Sequence, residues 1–450
     1  MASDDSALKQ LETSTSPLLV VIGAGPKAAA LAAKARAMHE HKGDEVRVVV
    51  IERNQVGAHW MGGFGYTDGQ NELCTPPEKD VGYPFNSSYG SDVNREMLRY
   101  TWQAYLIDKT AYPGWLDRGR RQPPLSEWAK YIEWVLEFAN PQEIIREMTV
   151  TSIEPSGAKL IVHAQHRRVH RTFEADGVVL TGPGEPIRIP DSPPTTGDRL
   201  FDGKNYWTHV QLFADKERQR RGKVAVIGGG GTAASIALSL LRVAPHLEID
   251  IINRHGTIFT RGESFREKSL FCDTEKWQEL DEFKRQEFIK RTDRGVFSVG
   301  AQKEFDQAEN IDFISGEVVG IEDLGNRILV RLKRGKPSEE LEYEYDRVIV
   351  ALGFDPFSTL KLIPEGFRPK CKTPEEQLDI QRKVDNYLRL PFDTVPELAE
   401  TQPNIHVPML AGLAQGVGFQ NLACLSVLSD RILSRYVPFP TPSRFRETKK

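Results

Sequence analysis

The chain has little cysteine, and what it has is scattered: Cys74, Cys272, Cys371 and Cys424 among 450 residues. No two form a C-x-x-C redox pair, and no Cys/His spacing reads as a zinc site. Sparse, unpaired cysteine fits a reducing cytoplasm, where the protein is expected. No apolar run approaches the length needed to cross a membrane. The N-terminus, MASDDSALKQLETSTSP, lacks the basic start and apolar core of a signal peptide. Excess basic charge is missing too. The formal net charge is −4, so nothing favours electrostatic binding to nucleic acid or to an anionic membrane. The short basic run RQRRG, around Arg220, reads as a solvated loop. No internal repeat or low-complexity tract is visible.

What is present is one phosphate cradle more than a simple dehydrogenase needs. LLVVIGAGPKAAALAAKA begins at Leu18, and KVAVIGGGGTAAS runs from Lys223 to Ser235. Each is an apolar β-run, a glycine turn and a helix opened by small residues, the pattern that cradles the pyrophosphate of a dinucleotide. In the first turn the residues are Gly23, Gly25, Pro26 and Ala28. A second strand follows (46–53) and ends in Glu52, an acid placed to accept hydrogen bonds from ribose hydroxyls and to repel a 2′-phosphate. This cradle prefers FAD or NAD. In the second turn the residues are Gly228, Gly230, Thr232 and Ala233. Its second strand (247–254) ends in Asn253-Arg254, with no acid. Arg254 can pair with a 2′-phosphate, which points to NADPH. Two dinucleotides imply hydride passage from nicotinamide to flavin.

Around these units lie a helix at 124–139, a strand at 174–190 running into a Gly/Pro exit, and a charged helical stretch at 274–292. Strands follow near 311–333, then YDRVIVALGFDP (345–356) and a strand, glycine loop and helix at 404–433. The order predicts an α/β protein with two Rossmann-like dinucleotide-binding domains, the NADPH domain inserted into the FAD domain, and a small, mainly helical substrate region. The expected division is a tail at 1–16, the FAD domain at 17–215, the NADPH domain with its helical insertion at 216–344, the returning FAD domain at 345–438, and a tail at 439–450.

A disulfide reductase of this plan needs a cysteine pair near the flavin, which the chain lacks. Oxygen is the remaining main acceptor. Reduced flavin and O2 give a C4a-hydroperoxide that transfers one oxygen atom to a nucleophile. Here GAGPKA, GGGGTAAS and the stretch from Asp346 to Phe354, with Gly353 before the phenylalanine, resemble the flavin-dependent N-hydroxylating monooxygenases. So do VGAHWMGGFGYTDG, TPPEKDVGYP, RYTWQAYLI, DRGR, RTDRGVFS and GFQNLACLSVLSDR. The resemblance covers nearly the whole chain and is nearest to the mycobactin-type lysine N6-hydroxylases. It implies hydroxylation of a side-chain amine, L-lysine first, in siderophore or other natural-product synthesis, with FAD, NADPH and O2. The sister N-oxygenating and Baeyer–Villiger groups have F-x-G-x-x-x-H; in FDGKNYWTHVQLF the sixth step is Trp207 and His209 comes two residues late.

The resemblance also implies roles. Lys79 matches the lysine that pairs with the substrate α-carboxylate. His59 and Trp60 fall where the family has Trp and His beside the flavin ring. Asp293 stands where most members have an Asn whose backbone contacts the substrate amine, and a mainly backbone role is expected of it. Two positions depart. Lys268 replaces an Asn that helps hold the amino-acid end and the nicotinamide, and Ala423 replaces a serine. They leave open a different or more anionic amine, such as ornithine, a diamine or an acidic amine. An uncoupled NADPH oxidase and a non-catalytic nucleotide binder are the readings from other classes. No residue is assigned as a dedicated acid or base, no metal is expected, and a homo-oligomer is left open.

Overall fold

Strand Leu18–Ile22 is a continuous apolar run, as a strand covered on both faces requires. In the computed structural model, which describes residues 16–43, 45–140, 143–195, 198–214, 222–293, 295–335 and 339–440, it is central in a five-stranded parallel sheet. The expected tails lie almost wholly outside the described residues, as does the basic run up to Arg221. The sheet order is Ile405–His406, Gly177–Leu180, Leu18–Ile22, Arg47–Ile51, Ile144–Ile145. Helix Pro26–Lys42 covers it and is buried nearly all round, because its alanines let helices Leu125–Ala139 and Leu425–Leu433 approach closely.

A second five-stranded parallel sheet runs Leu200–Asp202, Arg347–Val350, Lys223–Ile227, Glu248–Asn253, Ile311–Ser315. The four strands counted from the glycine turn keep the order of the first sheet, but the outer strand Leu200–Asp202 precedes that turn in the chain, whereas Ile405–His406 follows all the others. Each unit also carries a three-stranded antiparallel meander before the fourth strand counted from its glycine turn. One is Thr149–Ser156, Lys159–His166 and Val169–Ala175; the other is Glu317–Asp323, Ile328–Arg334 and Glu339–Tyr345. The second unit therefore takes strands from both sides of the expected 216–344 span. Leu200–Asp202 precedes it, and Arg347–Val350, the strand of YDRVIVALGFDP, follows it. The two chain crossings run side by side, with Phe354–Asp355 antiparallel to Glu185–Pro186.

The charged stretch forms two helices, Thr274–Glu279 and Glu282–Thr292, beside the short helix Phe265–Leu270. The break falls at Asp281, whose side chain accepts from the Lys284 amide and caps the later helix. Among the described residues no helix is long and apolar enough to cross a membrane.

Candidate active site

Each sheet ends its central strand in a glycine turn, at the edge where open parallel sheets bind ligands. Gly23 has φ +100°, and a Cβ there would lie 2.5 Å from Thr181 Oγ1. Gly25 caps helix Pro26–Lys42, Pro26 takes its first position, and Ala28 is fully buried. Nothing lies within 4 Å of where a Gly25 Cβ would be. Open space facing a helix N-terminus suits a pyrophosphate.

Glu52 is 9% exposed; one carboxylate oxygen accepts from the Ala24 amide at 2.9 Å and the other from the Asn54 amide at 2.8 Å. The acid braces the glycine turn, and each oxygen keeps a lone pair for a ribose hydroxyl. Beyond it opens a cavity of about 640 Å³ lined by Arg53, Asn54, Gln55, Glu147, Thr149 and His166, among others. A dinucleotide laid over Glu52 would find room here for its adenine end. Sequence reasoning missed it because its residues come from separate segments without a motif.

The second cradle is in register with the first. The Gly23 amide donates to the Ile51 carbonyl and the Gly228 amide to the Ile252 carbonyl, both at 2.8 Å. Gly228 has φ +148°, and a Cβ there would lie 2.4 Å from the Ala351 carbonyl oxygen. Gly230 caps helix Gly231–Val243. Thr232 is half-buried, its Oγ1 3.9 Å from the Cβ position of Gly353, which has φ +86°. By this register Glu52 corresponds to Asn253, and Arg53 to Arg254. Asn253 Oδ1 accepts from the His255 amide at 2.7 Å, just as Glu52 accepts from Asn54. A neutral amide thus replaces the carboxylate, and exposed Arg254 follows it.

Between the cradles, one turn touches both sides. The Gly295 amide nitrogen lies 3.5 Å from the Cβ position of Gly230. Two residues earlier, Asp293 Oδ1 accepts from Asn421 Nδ2 at 3.0 Å. Asn421 Oδ1 in turn accepts from the Ala423 amide at 2.8 Å. Ala423 packs with Phe271, Trp277 and Val417 and completes an apolar cluster, with no hydroxyl at the position where the resemblance implied a serine.

Lys79 reaches the same region. Its Nζ lies 5.2 Å from the centre of the Tyr83 ring, whose hydroxyl is 3.9 Å from Cys272 Sγ. Partial burial lowers the Lys79 pKa, and the charge of Lys268 lowers it further. Lys268 itself pairs with Glu263 at 3.2 Å. The loop that carries Lys79 is pinned by its buried neighbour Asp80, which accepts from the Gly82 and Trp102 amides at 3.1 and 3.0 Å. Burial pushes the Asp80 carboxyl up to about 7.

His59 stands in a ring cluster with Tyr66, Trp60 and Phe354, at centroid distances of 4.6, 5.6 and 6.4 Å. Burial, with Lys27 and Arg53 nearby, pulls its pKa to about 4, so the ring is neutral at pH 7. Its Nδ1 is buried without a hydrogen-bond partner among the described residues. An orphaned polar atom beside a dinucleotide cradle is where a flavin ring system would be seated. The sequence reading passed over Lys27, which the structure also brings here. The described cysteines are all free, and among the described residues no cluster could hold a metal.

A family model described as L-lysine 6-monooxygenase/L-ornithine 5-monooxygenase matches residues 93–356. The L-lysine N6-monooxygenase MbtG of Mycobacterium tuberculosis is 34% identical over 450 residues, which cover 96% of this chain and 98% of the relative. MbtG of Mycobacterium sp. strain MCS is 36% identical over 92% of this chain and 94% of its own. Among solved structures, the lysine monooxygenase NbtG of Nocardia farcinica has a TM-score of 0.76 and 31% identity, covering 92% of this chain and 99% of its own. The ornithine N-hydroxylase KtzI of Kutzneria sp. 744, solved with reduced FAD, NADP+ and L-ornithine, shares the fold at 18% identity and a TM-score of 0.72, covering 94% of this chain and 99% of its own.

Proposed function

The chain belongs to the L-lysine 6-monooxygenase/L-ornithine 5-monooxygenase family, and on that premise we propose that it hydroxylates the side-chain amine of L-lysine with FAD, NADPH and O2. The balance is R–NH2 + O2 + NADPH + H+ → R–NHOH + NADP+ + H2O. Bound FAD supplies the redox chemistry: it accepts the hydride and, once reduced, activates O2.

The protein's own residues do the rest. Gly23, Gly25, Pro26, Ala28 and Glu52 hold the FAD. Gly228, Gly230, Thr232, Gly353 and Arg254 hold the NADPH, with Arg254 on the 2′-phosphate. His59 and Trp60 cover the ring and exclude water. Lys79 receives the α-carboxylate, and the turn at Asp293 and the loop at Ala423 border the amine. The FAD unit with an inserted NADPH unit, joined at the paired crossings, is part of the same proposal.

The observation that carries the choice of substrate is the charge at the carboxylate end. Lys268 is balanced by Glu263, while Lys79 has no ion pair among the described residues. At the carboxylate end the site therefore offers the Lys79 ammonium, without an ion pair among the described residues, which suits one carboxylate and not a more anionic amine.

The amine must react neutral. With a pKa of about 10.4, roughly one free lysine in a few thousand is neutral near pH 7, a cost on the order of 4–5 kcal/mol. Desolvation between the cradles lowers that cost. The test is NADPH oxidation with parallel detection of hydroxylamine and peroxide, using L-lysine, L-ornithine, cadaverine, putrescine and acidic amines. Hydroxylamine from L-lysine in step with NADPH use is expected. Peroxide with every amine would retain the scaffold and reject the substrate.

A further inference from the structure

Lys27 is the second residue of helix Pro26–Lys42, and it is 9% exposed. Two general rules oppose a lysine there. A helix N-terminus carries partial positive charge that repels cations, and a buried charge normally has a partner. Among the described residues its Nζ has one hydrogen-bond acceptor, the Gln420 carbonyl oxygen at 3.3 Å, and no ion pair. Lys34, further along the same helix, shows what structural compensation looks like: its Nζ meets Asp430 and Ser426, each at 2.8 Å. A local rule broken without compensation marks a functional position.

The surroundings say which function. Asp293 lies close enough to act on the Lys27 charge, the neutral Cys424 thiol is nearby, and Lys27 acts on His59. The ammonium therefore sits where the first cradle, the ring cluster, the Asp293 turn and the C-terminal loop converge. Burial lowers its pKa to about 8, against the pull of Asp293, so it still holds its proton at neutral pH.

We propose that Lys27 is the buried cation of the flavin-ring site and that its charge raises the reduction potential of the FAD bound there. The proposal rests on the FAD-dependent reading above. Reduction is FAD + 2e− + H+ → FADH−, the two electrons and the proton arriving together as the hydride of NADPH, which leaves as NADP+. The site gains one negative charge, and a fixed cation in a poorly solvated site favours that change.

The experiment compares FAD-loaded wild type with Lys27→Gln and Lys27→Arg. Midpoint potentials are measured by dye-equilibrated reduction, FAD affinity by titration, and fold by circular dichroism. Gln keeps a donor for the Gln420 carbonyl and removes only the charge. It should lower the reduction equilibrium constant at least tenfold, about 30 mV for a two-electron couple, while Arg stays near wild type. A Gln variant with FAD bound and an unchanged potential overturns the proposal. So does a Gln variant that loses FAD without a shift in potential, because the charge would then serve the pyrophosphate. Lys27→Met repeats the measurement if Gln does not fold; misfolding of both makes the lysine a packing requirement, and the proposal fails. Failure of the family reading is a separate result, seen in the wild type as no FAD bound or no amine-dependent NADPH use.

Discussion

Glu52 and Asn253 occupy equivalent places, yet one is a buried carboxylate and the other a neutral amide followed by Arg254. That single difference distinguishes the two cradles, and it was legible in the sequence because both residues directly follow an apolar strand. Arg254→Ala should raise the KM for NADPH roughly tenfold to hundredfold, the range for a charge-assisted phosphate contact, and leave the KM for NADH nearly unchanged. Steady-state kinetics with both coenzymes checks this; equal effects would remove Arg254 from the 2′-phosphate. Other residues were legible only through their family. Nothing about PPEKD alone says that Lys79 lacks an ion pair among the described residues, or that Lys268 will find Glu263. Lys27 was not legible at all, since a lysine in an alanine-rich helix reads as solvated, and only the packed structure shows it 9% exposed.

Helix Pro26–Lys42 shows what an element hides. Its existence and start were plain from the glycine turn and Pro26. Its burial on nearly every side was not, because the covering helices come from 125–139 and 425–433. The helix is fastened by Lys34, fully buried, to Asp430, which also accepts from Ser87 Oγ and the Ser88 amide at 2.8 Å each. Every member is satisfied, so removing one strands the others. Lys34→Met should destabilise by about 3–5 kcal/mol, as for other broken buried pairs, measured by denaturant unfolding. Strand Ile405–His406 makes a second such joint. His406, fully buried, meets the Tyr387 carbonyl and the Tyr436 hydroxyl at 2.7 Å each. Burial drops its pKa from 6.5 to about 4. A depressed folded-state pKa gives stability that is present above the unfolded value and lost as pH falls through the folded one. Acid should therefore weaken the fold between pH 6.5 and about 4, on the order of 2–3 kcal/mol from this group. His406→Gln should flatten that limb of the stability–pH curve. An unchanged slope would show that His406 is not its source.

At the scale of the whole molecule the two units share one plan for the four strands counted from the glycine turn, with a meander before the fourth, and differ in the fifth, which is last in the chain in one unit and first in the other. The sequence showed two cradles but no repeat. Matching the plans needs only matching hydrophobic pattern and pairing, and the connecting segments differ in length and content. The crossings were misplaced in the sequence for a related reason. A buried parallel strand such as Arg347–Val350 reads the same in either sheet, and only pairing with Lys223–Ile227 assigns it. At the crossings Phe354–Asp355 runs beside Glu185–Pro186, next to Gly184 at φ +97°, and the units also meet through Arg242–Asp68, Asn71–Ser235 and Asn421–Asp293. A Cβ on Gly184 would lie 1.9 Å from the Asp355 carbonyl oxygen, so any side chain must push the two crossings apart. The cradles lie in separate sheets, so Gly184→Ala should leave FAD affinity near wild type. It should shift the NADPH unit against the FAD unit, and hydride transfer is sensitive to misplacements of about 1 Å, worth roughly a hundredfold. Anaerobic stopped-flow reduction of the bound flavin by NADPH measures this directly. A fall of tenfold or more with FAD retained is expected. Wild-type reduction in a folded, FAD-loaded Gly184→Ala protein would show that the paired crossings do not set the distance between nicotinamide and flavin.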